Sequence, residues 1–278
     1  LSCAYDCGYF MAAEVLAVGI DLSFAPVLDT NSVSGVIGDR SFHKDPQVIT
    51  ALATQFMRGM RAAGMATTGK HFPGHGGVAQ DSHVAEAIDT RRRDEIMGHD
   101  MQPFAQALPW LDALMPAHVI FSQVDNKPAG FSKVWLKDII RDQLQFDGVL
   151  FSDDLSMAGA QAAGDVSDRV HAAIHAGCDI ALVCNDRVAA HEAAEAAQDL
   201  PYPDQQRIKT MRGQIPEWRG DLTSTCQQFE HWQQARHRVI QTFFSMQTPN
   251  SDGNQMQNSH TLDHSDDLSD LKDPTDYK

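Results

Sequence analysis

Met65-Ala66-Thr67-Thr68-Gly69-Lys70-His71-Phe72-Pro73-Gly74-His75-Gly76 passes from an apolar run into a turn full of titratable side chains. Asp81-Ser82-His83 follows closely. Residues 65–71 read as a short buried strand. The Gly and Pro content beyond them rules out one continuous helix or strand. Titratable side chains at the C-terminal end of a strand are where α/β enzymes keep their chemistry. A polar surface loop would account for one histidine. A lysine, three histidines and an aspartate between Lys70 and His83 favour a site.

Similar apolar runs occur at residues 22–28, 113–119, 149–152 and 180–184. Helical patterns lie between them at 46–63, 92–108, 133–144 and 167–176, with stop signals at Gly64 and Gly177. This alternation is βαβ repetition. Polar residues follow the runs at Asp29, Asn31, Lys70, His71, His118, Asp153, Asp154 and Asn185. Such a ring of strand-end polar groups predicts an α/β fold of (β/α)8 TIM-barrel type. An open doubly wound sheet would gather its ligand at one switch point, and no glycine-rich nucleotide fingerprint is present. Only five strands are countable against eight. The expectation is therefore a barrel lacking its first three or so βα units, roughly 90 residues, before Leu1. Such a remnant would leave two open sheet edges.

The chain has 278 residues, 42% of them hydrophobic, and a net charge of -15 from 22 basic and 37 acidic residues. That balance disfavours nucleic acid and anionic membrane as partners, and leaves room for a small substrate. No run reaches the length of a membrane span and no signal peptide is visible. Five cysteines, Cys3, Cys7, Cys178, Cys184 and Cys226, show no disulfide spacing. Reduced thiols in a cytoplasmic compartment are expected. A terminal amphipathic helix is expected over 225–246. Residues 248–278 lack apolar periodicity, and the last 28 residues hold seven Asp and two Lys. The expected organisation is a partial barrel over 1–247 and a disordered acidic tail over 248–278.

Phe151-Ser152-Asp153-Asp154-Leu155-Ser156-Met157 places two acids after an apolar strand. Adjacent residues on an extended chain point opposite ways, so one acid can face a pocket and the other the wall. An N-cap for the next helix is the alternative use of Ser152 or either Asp. Ile37-Gly38-Asp39-Arg40-Ser41-Phe42 offers Arg40 either as a fork onto a substrate oxygen or as a loop ion pair. His118, in Met115-Pro116-Ala117-His118-Val119, fits a core histidine satisfied by backbone, or a strand-end site residue.

Two mechanisms fit an Asp–His cluster opposite a second Asp. In one, Asp153 is a nucleophile and His83 moves protons while Asp81 orients its imidazole. In the other, His71, His75, His83 and an Asp bind a catalytic metal. The His71-x-x-x-His75 spacing suits a metal only on a helix, which Pro73-Gly74 opposes.

These residues resemble glycoside hydrolase family 3, in particular its bacterial single-domain β-N-acetylhexosaminidases of peptidoglycan recycling. The resemblance runs from about Glu14 to about Asn185. Its best stretches are Asp21-Leu22-Ser23-Phe24-Ala25-Pro26-Val27-Leu28-Asp29, the Lys70 to Gly76 motif with Asp81-Ser82-His83, Leu114-Met115-Pro116-Ala117-His118-Val119, and Phe146 to Met157. It implies Asp153 as nucleophile, His83 as general acid/base and Asp81 as its partner. It also implies Arg40, Lys70 and His71 as substrate contacts. The loop carrying Asp81 and His83 is mobile in that family. The implied reaction is retaining removal of a terminal, non-reducing β-linked N-acetylglucosamine from muropeptide fragments ending in 1,6-anhydro-N-acetylmuramic acid. No metal or cofactor is implied, and a monomer is expected. Family members carry a further sugar-gripping Asp in an Asp-Gln-Glu-Gly-Gly motif and a downstream Arg; this sequence has neither segment. The remaining readings are a metal-dependent hydrolase on the same barrel and an inactive remnant.

Overall fold

A computed structural model describes residues 1–79, 87–214 and 229–247. Helix α1 (Ser2–Ala17) opens the chain, followed by an extended segment at 25–28 and helix α2 (Pro46–Ala62). Asp45 caps α2 by accepting from Gln47 N–H at 2.8 Å, with Pro46 in the first turn, where its missing N–H costs nothing. Strand β1 (Thr68–Phe72) comes next, then β2 (Ala87–Asp89). The short helices α3 (Arg93–Glu95) and α4 (Gln102–Ala107) follow, then β3 (Ala113–Pro116) and β4 (Val119–Phe121). A π-wound helix, Val134–Gln143, leads to β5 (Val149–Asp154) and α5 (Val166–Ala176). Strand β6 (Ile180–Leu182), α6 (Arg187–Ala196), α7 (Gln205–Lys209) and α8 (Glu230–Gln247) complete the described chain.

The strands pair in parallel in the order β1-β3-β5-β6. Residues 25–28 join beyond β1: Val27 bridges Lys70 in parallel, and Thr68 N–H donates to Ala25 C=O at 2.7 Å. The five expected strands are therefore spatial neighbours in chain order, as consecutive βα units place them. Side-chain alternation divides two cores. Ala113, Met115, Val149 and Phe151 pack on one face with Leu22 and Phe24. Leu114 and Leu150 join Phe72, Phe104, Phe121 and Trp135 in the larger cluster on the other. Among the described residues the order ends at 25–28 on one side and β6 on the other, so closure into a barrel is not seen.

Several elements differ from the sequence reading. The 113–119 run breaks at Ala117-His118 into β3 and β4, and β4 pairs with β2 in a separate two-stranded sheet. The 92–108 helix is segmented, with a π-wound turn at Ile96–Asp100. Gly64 (φ +95°) and Gly177 (φ +129°) end their helices in the left-handed region, as expected. The terminal helix packs on α1, where Arg238 forks onto the buried Asp6 at 2.6 Å through both contacts and His231 stacks on Tyr9. The beginning expected for that helix, Cys226 and the 248–278 tail lie outside the described residues. The other four cysteines are free thiols. No described helix is long and apolar enough to cross a membrane.

Candidate active site

The parallel sheet delivers Asp29, Lys70, His71, His118 and Asp153 to the C-terminal ends of neighbouring strands. β5 sorts its polar residues by alternation. Ser152 is fully buried and its Oγ accepts from Leu182 N–H at 2.8 Å. Asp154 accepts from Cys184 N–H at 3.0 Å, Ser156 N–H at 2.9 Å and Ser156 Oγ–H at 2.7 Å. Both bind β5 to the chain around β6 and form the wall. Asp153 between them turns the other way. Its one recorded hydrogen bond among the described residues comes from Asp154 N–H at 2.8 Å. The capping alternative thus describes Asp154, which closes an Asx turn, and leaves Asp153 free.

Burial pushes the Asp153 carboxyl up, but the electrostatic pull of the His71 and His118 rings, the Asp154 N–H and Lys70 outweighs it. The carboxyl stays below its usual range and is ionised at neutral pH. Lys70 is shifted downward, mainly by burial and also by the like charge of Arg40, with Asp153 opposing. Arg40 therefore lies near the Lys70 ammonium. Its Nε donates to Val36 C=O at 3.0 Å, and no carboxylate among the described residues pairs with it. That geometry fits the substrate-facing alternative better than a loop ion pair.

His71 is held by Asp29, which is 0% exposed. The carboxylate receives His71 N–H at 3.0 Å, the His71 Nδ1 contact at 2.7 Å and His75 N–H at 2.7 Å. The loop bends sharply here. Gly74 adopts φ +135°, where a Cβ would also collide with Asp100. The Lys70–His71 and Phe72–Pro73 peptide bonds are cis. His75 is buried, with Nδ1 3.4 Å from Ser34 Oγ, and burial depresses its pKa. His118 is also buried; Nε2 lies 3.2 Å from Asp154 C=O and Nδ1 has no partner among the described residues. Burial lowers its pKa against the pull of Asp153. His118 is thus partly the backbone-satisfied core histidine of the sequence reading, and also a wall of the Asp153 site.

Asp81 and His83 lie outside the described residues. Downstream of them, Arg91 forks onto Asp89 and Asp100, with contacts of 2.7 to 3.1 Å. A side chain at Gly77 would strike that guanidinium. Among the described residues no group of three or more His, Cys, Asp or Glu comes together as a metal site. The metal alternative also needs His83, which is not among them. Of the residues at this rim, sequence reasoning noted Asp29 only as a strand-end polar group. Its signal was an acid following the Phe24-Ala25-Pro26-Val27-Leu28 run.

Known proteins resemble this chain over most of its length. A beta-hexosaminidase of Pseudomonas aeruginosa is 57% identical over 211 residues, covering 76% of this chain and 64% of the relative. One from Idiomarina loihiensis is 49% identical over 233 residues, covering 84% of this chain and 70% of the relative. The chain thus spans just under two thirds of the Pseudomonas relative. The crystal structure of NagZ from Neisseria gonorrhoeae in complex with N-trifluoroacetyl-D-glucosamine superposes with a TM-score of 0.75. It is 40% identical, and the match covers 86% of this chain and 69% of that one. The model of the glycosyl hydrolase family 3 N terminal domain matches residues 1–212. With strand-end carboxylates and histidines on a TIM-barrel-like α/β frame, this chain belongs to glycosyl hydrolase family 3.

Proposed function

We propose that this protein is a retaining exo-β-N-acetylglucosaminidase with Asp153 as its nucleophile. The observation that carries the reading is Asp153 itself. It is ionised, turned away from the wall, held by a single backbone N–H and surrounded by Lys70, His71 and His118. The similarity to beta-hexosaminidases and to a sugar-bound NagZ supports the same reading. The Asp153 carboxylate attacks the anomeric carbon as the bond to the leaving oxygen breaks, and His83 gives that oxygen its proton. Water then loses a proton to His83 and attacks the same carbon, releasing Asp153 as carboxylate. Two displacements return the original configuration. Asp81 orients His83, and Arg40, Lys70 and His71 hold sugar oxygens. No cofactor enters these steps. The proposed substrate is a terminal N-acetylglucosamine on a peptidoglycan fragment, acted on in the cytoplasm by a monomer.

The test is hydrolysis of a chromogenic N-acetyl-β-glucosaminide, with Asp153→Asn as the blank and a chelator-treated sample alongside. Turnover that survives chelation and vanishes in the blank supports the proposal. Turnover undiminished in Asp153→Asn refutes the nucleophile, and loss on chelation alone favours the metal-dependent alternative.

A further inference from the structure

Asp29 is the most deeply buried carboxylate at this rim, and the mechanism above does not use it. Three contacts converge on it. Two are backbone N–H groups, of His71 and His75, and these can only donate. The third is the His71 ring, whose Nδ1 stands 2.7 Å from the same oxygen that receives His71 N–H. A carboxylate has no proton to give, so at this distance the ring nitrogen must carry the hydrogen. Nδ1–H then leaves Nε2, on the opposite side of the imidazole, as the ring's other polar atom. We infer that Asp29 is a positioning residue that locks His71 as the Nδ1–H tautomer, presenting Nε2 to the sugar-binding space as an acceptor for a substrate hydroxyl.

Three features support this. Asp29 is fully buried and His71 nearly so, so Nδ1 meets the carboxylate rather than solvent. The carboxyl remains ionised: burial would raise its pKa, but His71 and the His75 N–H together bring it below the usual range. The second oxygen ties His75 N–H, so one carboxylate fixes both the ring and the turn that carries it. Asp29→Asn would reverse one polarity. An amide NH2 facing Nδ1 would also face His71 N–H, and turned the other way it would face His75 N–H, so Asn satisfies neither arrangement fully and no longer fixes one tautomer. This inference rests on the glycosidase reading for its sugar, but not for its tautomer.

The experiment is long-range 1H–15N correlation on the histidine-labelled chain at pH 8, with His71 assigned through His71→Gln. The expected wild-type signature is a protonated Nδ1 and an unprotonated Nε2, with the Nε2–H tautomer gaining population in Asp29→Asn. In parallel, Asp29→Asn and His71→Gln should each raise KM for the chromogenic glucosaminide about tenfold. The double variant should be no worse than the poorer single one. A wild-type Nε2–H tautomer would overturn the inference even if Asp29→Asn does not fold, and so would additive KM effects. The expected tautomers without any hydrolysis would support the role of Asp29 and count against the glycosidase reading alone.

Discussion

At the N-terminal ends of the strands, carboxylates are paired with arginine. Asp112, before β3, accepts from Arg61 Nη2 at 2.5 Å, Thr67 N–H at 2.8 Å and Thr67 Oγ1–H at 3.1 Å. Asp179, before β6, accepts from Arg141 at 3.0 Å, Arg207 at 2.9 Å and Leu150 N–H at 2.8 Å. At the C-terminal ends no arginine fork reaches Asp29 or Asp153 among the described residues. Asp29 is met by a histidine and two amides, and Asp153 keeps one amide. Both rims bury charge beside a parallel sheet, where an unpaired carboxylate is costly. Asp112 and Asp179 have most of their roughly four acceptor sites taken, whereas Asp153 has one taken and the others open to a substrate. The difference separates charges that hold strands in register from a charge available to react.

The same chemical change at each rim tests this most strongly. Asp153→Asn should lower kcat/KM on the order of 10⁴-fold, while unfolding free energy, measured by urea titration, moves by less than about 1 kcal/mol. A comparable loss of stability would make Asp153 another structural carboxylate.

Asp179→Ala should do the reverse. It strands the partly buried Arg141 and the Leu150 N–H, and should cost about 3 kcal/mol by the same titration. Turnover per folded molecule should be unchanged. Lost turnover in fully folded protein would break the division between the rims.

The third expectation concerns pH. His75 and His118 both have folded pKa values pushed below the ordinary 6.5, chiefly by burial. Below about pH 6.5 the unfolded chain binds protons that the folded one refuses. Their contribution to stability is thus full above that pH and declines as pH falls, by up to about 1.4 kcal/mol per pH unit for each histidine. Asp29 and Asp153, held below 3.8, should add no acid lability until pH drops past that value. Urea midpoints measured from pH 7.5 to 5 should fall. A flat profile would mean that the rim histidines are not buried in their neutral form.

The smallest effect belongs to Arg61→Ala. Arg61 is 37% exposed, so its pair with Asp112 should be worth no more than about 1 kcal/mol, weakening in salt. Chromogenic turnover should not respond.

Much of the frame was legible because buried parallel strands announce themselves as short apolar runs. Residues 22–28, 65–71, 113–119, 149–152 and 180–184 all map onto neighbouring parallel segments. Less legible was the break at Ala117-His118. Val119 and Phe121 are as apolar as β3, so periodicity cannot say that β4 leaves β3's sheet to pair with β2. The segmented 92–108 helix is a similar case, since π-winding leaves little mark on the apolar pattern. Within the site, alternation along Ser152-Asp153-Asp154 foresaw one acid inward and one in the wall, without saying which. That depended on Ser156 and Cys184, whose N–H groups claim Asp154. Asp29 escaped assignment because its partners lie more than forty residues away.

The most direct test of Asp153 as nucleophile is to trap the intermediate. The protein would be quenched in acid during turnover of a slow N-acetyl-β-glucosaminide, digested and analysed by mass spectrometry. The expected result is one N-acetylglucosaminyl unit esterified to Asp153. Turnover with that unit on another residue, or with no adduct under any quench, would contradict a nucleophile left free at the end of β5.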